Sequence, residues 1–167
     1  LNKKYKFLKR NTSLLDIGSY PGGWSQVSSN IVSSGKILAI DLKKMEEVKN
    51  VTFFELDFLD DNSKEKITQF FGKKLDVIMS DMAADTTGNK SLDNIRTNQL
   101  CYDVIEFSTK ILKLNGILIS KLFMGDDFIQ VKEFAKSKFQ KVQFFKPESS
   151  RNESRETYIH CATLKTL

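Results

Sequence analysis

The chain has 167 residues, a formal charge of +5 from 26 Lys and Arg against 21 Asp and Glu, and 40% hydrophobic residues. That length suits one domain able to bury its own core, and no apolar run is long enough for a bilayer-spanning helix. The basic balance suits a polyanionic partner and is equally compatible with an ordinary lysine-rich surface.

Short apolar runs alternate with helical stretches and predict seven strands, at residues 14–17, 37–40, 51–56, 75–79, 117–119, 142–145 and 158–162. Ile37-Leu38-Ala39-Ile40 and Leu75-Asp76-Val77-Ile78-Met79 are nearly continuous in apolar residues, as strands are when helices cover both faces of a parallel sheet. Residues 57–66 and 85–90 are polar enough to read as surface loops. The strongest helix pattern covers residues 92–114, with Ile95, Cys101, Val104, Ile105, Ser108, Ile111 and Leu112 near one face and Asn115-Gly116 as the stop.

Residues 146–155 alone separate the last two strands, too few for a crossover helix, so an antiparallel hairpin is expected there. The sum is an α/β fold: a Rossmann-like, seven-stranded, mostly parallel sheet with a C-terminal antiparallel hairpin and helices on both faces. A single domain over residues 1–167 is expected. Cys101 and Cys161 lie far apart, in a helical and a strand segment, so neither a disulfide framework nor a metal site is indicated.

The segment Asp16-Ile17-Gly18-Ser19-Tyr20-Pro21-Gly22-Gly23-Trp24 follows a strand and opens a helix, where a glycine loop can turn its backbone N–H groups toward a ligand. Gly18 permits a sharp turn, Gly22 and Gly23 permit close approach, and Pro21 stiffens the loop. The spacing is not the GxGxxG of dinucleotide enzymes. A cofactor with an ammonium and a sulfonium has no pyrophosphate to cradle, and the carboxylate of Asp16 suits its ammonium. Asp41, at the end of the second strand, stands where an acid accepts ribose hydroxyls, and Asp57 is a weaker counterpart. Trp24 reads either as a cofactor contact or as a packing anchor, and Tyr20 as a stacking candidate. His160, between Ile159 and Cys161, reads as a structural residue.

The glycine loop with Trp24 resembles that of FtsJ/RrmJ-type methyltransferases. The likeness continues through Ser80-Asp81-Met82-Ala83-Ala84, Ser120-Lys121-Leu122-Phe123, and Lys146-Pro147 followed by Ser149-Ser150-Arg151 and Ser154-Arg155-Glu156. The resemblance implies S-adenosylmethionine as cofactor, held by Asp16, Gly18, Pro21, Gly22, Gly23, Trp24, Asp41, Asp57 and Asp81. It also implies a Lys-Asp-Lys-Glu tetrad whose last three members fall on Asp81, Lys121 and Glu156. Its first lysine would stand just before Leu1, because Lys3, Lys4, Lys6 and Lys9 come too late, so a short preceding segment is expected. A chain without that lysine is expected to bind the cofactor but methylate poorly. Within the resemblance Lys121 is the base, and Asp81 and Glu156 orient it and the target hydroxyl. Taken singly, Asp81 reads as a loop cap, Lys121 as a solvated edge residue and Glu156 as a partner of Arg155.

Arg151 and Arg155 fall in the hairpin loop among Ser149, Ser150, Asn152 and Ser154, a composition suited to an RNA backbone. Residues 82–91 form the other expected wall of the cleft, where the family's Pro-Asn is replaced by Ala84-Asp85. The implied activity is 2′-O-ribose methylation of RNA, of a uridine in large-subunit ribosomal RNA, free or in the assembled subunit. Transfer RNA as substrate, an idle RNA-binding module and a nicotinamide-dependent oxidoreductase are the alternatives. A cytoplasmic monomer is expected, or an organellar one from a eukaryotic source.

Overall fold

The computed structural model describes residues 7–146 and 155–166. In chain order they form β1 (Ser13–Ile17), α1 (Gly23–Ile31), β2 (Lys36–Asp41), β3 (Val51–Glu55), α2 (Asp61–Phe71), β4 (Leu75–Ser80), α3 (Lys90–Ile111), β5 (Leu112–Phe123), α4 (Phe128–Lys138), β6 (Phe139–Phe145) and β7 (Glu156–Leu164). The strands make one sheet in the order β3-β2-β1-β4-β5-β7-β6. β1 to β5 pair in parallel, whereas β7 runs antiparallel to both β5 and β6. This is the expected Rossmann-like sheet with its C-terminal antiparallel strands.

Alternation along the strands divides the apolar residues between two cores. Leu15, Ile17, Leu38, Ile40, Ile78 and Leu118 face one way, toward Ile67 and Phe71 of α2, Val104 and Ile105 of α3, and Val131 and Ala135 of α4. Leu14, Ile37, Val77, Met79 and Ile119 face the other way, toward Phe7, Leu8, Val32 and the helix α1 residues Trp24 and Ile31. Asp16 lies between Leu15 and Ile17 and so shares the face of Leu14, beneath α1. That is why a carboxylate in a central strand meets a serine of α1 rather than the larger core.

The chain moves from β1 outward to β2 and β3, then returns to place β4 on the other side of β1. Loops leaving the carboxyl ends of β1 and β4 therefore diverge and leave a crevice, the place where open α/β sheets bind ligands.

The structure corrects two expectations about element bounds. Residues 61–66, expected in a loop, open α2, whose N-cap Asp60 accepts the Asn62 amide at 3.0 Å. Its buried residues are only Ser63, Ile67 and Phe71, one per turn, so a narrow apolar stripe lies hidden in a polar segment. The long helix begins at Lys90 and ends at Ile111, three residues before the expected end. Leu112 already pairs with Leu75, and the ladder resumes at Val77 with Ile117, so residues 113–116 bulge out of it. Asn115-Gly116 serves that bulge instead of stopping the helix.

Candidate active site

The glycine loop is folded back on the end of β2. Gly18 and Ser19 donate their amides to the Ile40 carbonyl at 3.0 and 3.1 Å. Gly18 has a φ of 71°, and a Cβ there would lie 2.9 Å from Met82 Cγ and 3.0 Å from the Met82 amide nitrogen. A side chain at position 18 would thus collide with the segment leaving β4. Tyr20 and Pro21 are joined by a cis peptide bond, and Gly22, at φ 117°, immediately precedes α1. Asp41 ties the loop down, accepting the Tyr20 amide on Oδ2 and the Lys43 amide on Oδ1, both at 2.9 Å. Beside Gly23 the space is open, with no atom within 4 Å of where a Cβ would stand.

Asp16 is 1% exposed. Its Oδ2 accepts the Ser25 hydroxyl at 2.7 Å, while its buried Oδ1 has no hydrogen-bond partner. Burial, with smaller repulsions from Asp81 and Asp41, pushes its carboxyl up to about 7 against the pull of Ser25. An unpaired buried carboxylate oxygen is costly unless a ligand satisfies it.

On the β4 side, the Asp81 amide donates to the Ile17 carbonyl at 3.0 Å, which fixes the residue against the end of β1. Lys121 Nζ stands 3.2 Å from Asp81 Oδ1 and 3.6 Å from Glu156 Oε2, with its side chain 13% exposed. Register explains the meeting. Ser80 pairs with Ser120, so Asp81 and Lys121 leave adjacent strands side by side, and Phe123 pairs with Glu156 across β5 and β7. The three residues taken from the resemblance are therefore brought together. The readings of Asp81 as a loop cap and Lys121 as a solvated edge residue fail.

Two further residues complete this end of the sheet, and neither stood out in the sequence. Tyr158, the cross-strand partner of Lys121, donates its hydroxyl to Asp81 Oδ1 at 2.7 Å. Burial first, then that bond and the Asp81 charge, hold its phenol far above the usual tyrosine range. Asn98 of α3 is fully buried and reads the Phe123 backbone like another strand. Its Oδ1 accepts the Phe123 amide at 2.7 Å, and its Nδ2 donates to the Phe123 carbonyl at 2.9 Å and to Asp127 Oδ1 at 2.7 Å. A tyrosine two residues after a motif glutamate, hence on the same side of the strand, was the one available signal for Tyr158. Asn98 had none, because an asparagine in a polar helix segment carries no mark of burial.

The remaining expected residues are more peripheral. The Trp24 ring lies 5.6 Å from that of Tyr158, in the core beneath α1, as a packing anchor would. Tyr20 is exposed, with Lys43 Nζ 5.5 Å from its ring. Asp57 is exposed just beyond β3, with its Oδ1 taken by the Leu59 amide at 3.0 Å. Arg155 is exposed, and its carbonyl accepts the Met124 amide at 2.9 Å. Arg151 lies outside the described residues. Ala84, in the other expected wall, is anchored by its amide to Thr97 Oγ1 at 3.0 Å. His160 is buried within β7, consistent with a structural role. Lys9 lines a cavity at the opposite, amino-terminal end of β1, far from the cleft in strand order.

Three carboxylates converge where a dinucleotide enzyme would need amide donors for a pyrophosphate, and such an anion would be repelled there. With this sheet order, that charge pattern defines the Rossmann-like methyltransferase class. The family model for FtsJ-like methyltransferases matches residues 1–164, and the chain belongs to that family. It is 42% identical over 165 residues to the ribosomal RNA large subunit methyltransferase E of Pelagibacter ubique, covering 99% of this chain and 81% of that one. The protein of that name from Rickettsia akari is 41% identical over 165 residues, covering 95% and 73%. Among solved structures, a Plasmodium falciparum chain described as a ribosomal RNA methyltransferase superposes with a TM-score of 0.85 at 32% identity, covering 98% of this chain and 92% of that one.

Proposed function

We propose that the protein transfers the methyl group of S-adenosylmethionine to a ribose 2′-hydroxyl of large-subunit ribosomal RNA. The observation that carries this reading is the lysine bracketed by two carboxylates, Asp81 and Glu156, at the carboxyl ends of β4 and β5 and the amino end of β7. The RNA substrate is drawn from the names of the relatives and from the basic surface charge.

The residues present fit the cofactor. Asp16 offers a buried oxygen without a partner, as an ammonium requires, and the space beside Gly23 is open to a ligand's amino-acid end. Asp41 retains lone pairs toward ribose hydroxyls after accepting two loop amides. Bound there, the sulfonium supplies an electrophilic methyl group.

The chain's own work is alignment and proton removal. Lys121, entering the step as the neutral amine, takes the proton of the 2′-hydroxyl on Nζ, and Asp81 and Glu156 stabilise the ammonium so formed. Tyr158, hydrogen-bonded to Asp81, fixes the carboxylate that Lys121 must meet.

Nucleoside analysis after incubation with methyl-labelled S-adenosylmethionine and separate pools of large-subunit ribosomal RNA and transfer RNA tests the reading. A 2′-O-methylated nucleoside in the ribosomal pool is expected. Label on a base, label in transfer RNA alone, or RNA bound with no transfer in a single-turnover assay would each overturn it.

A further inference from the structure

The floor of the sheet, opposite the crevice, holds a cavity of about 650 Å³ lined by Lys9, Lys36, Lys73 and Lys113. Asp76 is its one acidic lining residue, and both of its oxygens are engaged. Oδ2 accepts the Ser13 amide and Oδ1 faces Lys113 Nζ, each at 2.8 Å.

Some basic character is expected at this end of any α/β sheet. The helices end here, and lysines satisfy their last carbonyls. Lys36 does so, donating to the Phe70 carbonyl at 2.6 Å, and Lys74 nearby donates to that of Lys110. Helix capping therefore accounts for Lys36, and the Asp76 pair accounts for Lys113. It leaves the exposed ammonium groups of Lys9 and Lys73, which meet no carboxylate among the described residues. Asn11, Ser34 and Asn115 add neutral polar groups to the same wall. Two free cations with side-chain amide donors around a cavity of this volume match a phosphodiester with its sugar, the Ser34 hydroxyl being already donated to the Arg10 carbonyl at 3.1 Å.

We propose that this cavity is a second phosphate-binding site, which holds the RNA backbone at a distance from the methylated nucleotide. The proposal rests on the reading of RNA as substrate. A large folded RNA reaches both ends of the sheet, whereas a short strand reaches only the crevice. Lys9 and Lys73 thus contribute to binding of the large substrate and leave the chemistry untouched.

The test compares the parent with Lys9→Gln/Lys73→Gln, and with Lys66→Gln/Lys136→Gln as a charge-matched control on the exposed faces of α2 and α4. Affinity for a large-subunit ribosomal RNA transcript and for a short oligonucleotide is measured across a salt series. For Lys9→Gln/Lys73→Gln, the slope of log affinity against log salt on the transcript should fall by roughly 0.7 per lost contact. Affinity for the oligonucleotide and for S-adenosylmethionine should stay at the parent's values, and the control should keep the parent's slope. An unchanged slope in Lys9→Gln/Lys73→Gln beside clear binding by the parent would overturn this inference alone. An equal loss in the control would do the same, by reducing the effect to overall charge. Calorimetric binding of adenosine monophosphate that disappears in the variant while RNA affinity holds would make the cavity a nucleotide site instead. A parent with no affinity for RNA would remove the RNA reading and this inference together.

Discussion

The Tyr158 hydroxyl and the Lys121 Nζ meet at a single atom, Oδ1 of Asp81, at 2.7 and 3.2 Å. One carboxylate oxygen therefore fixes the relative positions of three strands, and its partners are separable by substitution.

Tyr158→Phe removes the hydroxyl but keeps the ring that packs against Trp24 and Phe145. Hydrogen bonds to charged groups contribute about 1.5–3 kcal/mol. Turnover should fall roughly tenfold to a hundredfold and the melting temperature by several degrees, while S-adenosylmethionine affinity stays near the parent's. Parent-like turnover in a folded Tyr158→Phe protein would remove the hydroxyl from the site.

Lys121→Met keeps most of the stem's volume and removes the amine. If Lys121 accepts the hydroxyl proton, single-turnover methylation should fall by about 10²–10⁴ with cofactor affinity preserved. A loss confined to cofactor affinity, with the chemical step intact, would assign Lys121 to binding.

Asp16 links cofactor binding to pH. An ammonium beside its unpartnered oxygen favours the carboxylate form, so S-adenosylmethionine affinity should weaken as pH falls through about 7, approaching tenfold per unit below it. The same carboxyl affects stability in the opposite sense. Its folded-state value lies above the ordinary 3.8, so its stabilising contribution is complete below that pH and is lost as pH rises through about 7. Asp16→Asn should accordingly melt above the parent at alkaline pH and approach it near pH 4, while binding the cofactor poorly throughout. Titration calorimetry across this window checks the first expectation, and a pH-independent affinity would contradict it.

Asn98 is a positioning residue, acting through the Phe123 backbone two residues beyond Lys121. Asn98→Asp keeps an acceptor for the Phe123 amide but puts a carboxylate oxygen against the Phe123 carbonyl and Asp127. A lower melting temperature is expected, together with a fall in kcat at unchanged KM for S-adenosylmethionine. Full turnover at temperatures where the variant is folded would leave Asn98 a purely structural role.

Much of the fold was legible because its strands are buried on both faces and read as unbroken apolar runs, as at residues 37–40. The site was legible where it rests on motifs at strand ends, as at Asp81 and Lys121. What escaped depends on partners distant in sequence. The α2 stripe of Ser63, Ile67 and Phe71 is too thin to stand out from its polar neighbours. The burial of Asn98 becomes visible only once β5 lies beside α3.

β7 threads between β5 and β6 although it follows both in the chain. During synthesis the ribosome therefore releases the cofactor loop, Asp81 and Lys121 well before Glu156 and Tyr158. A growing chain can lay down β1 to β5 and still lack the strand that supplies Glu156 and Tyr158 to the surroundings of Lys121. The pocket for the methyl donor can thus precede the means of using it. Insertion of that strand, a non-local pairing that must wait for its turn, completes the polar surroundings of Lys121.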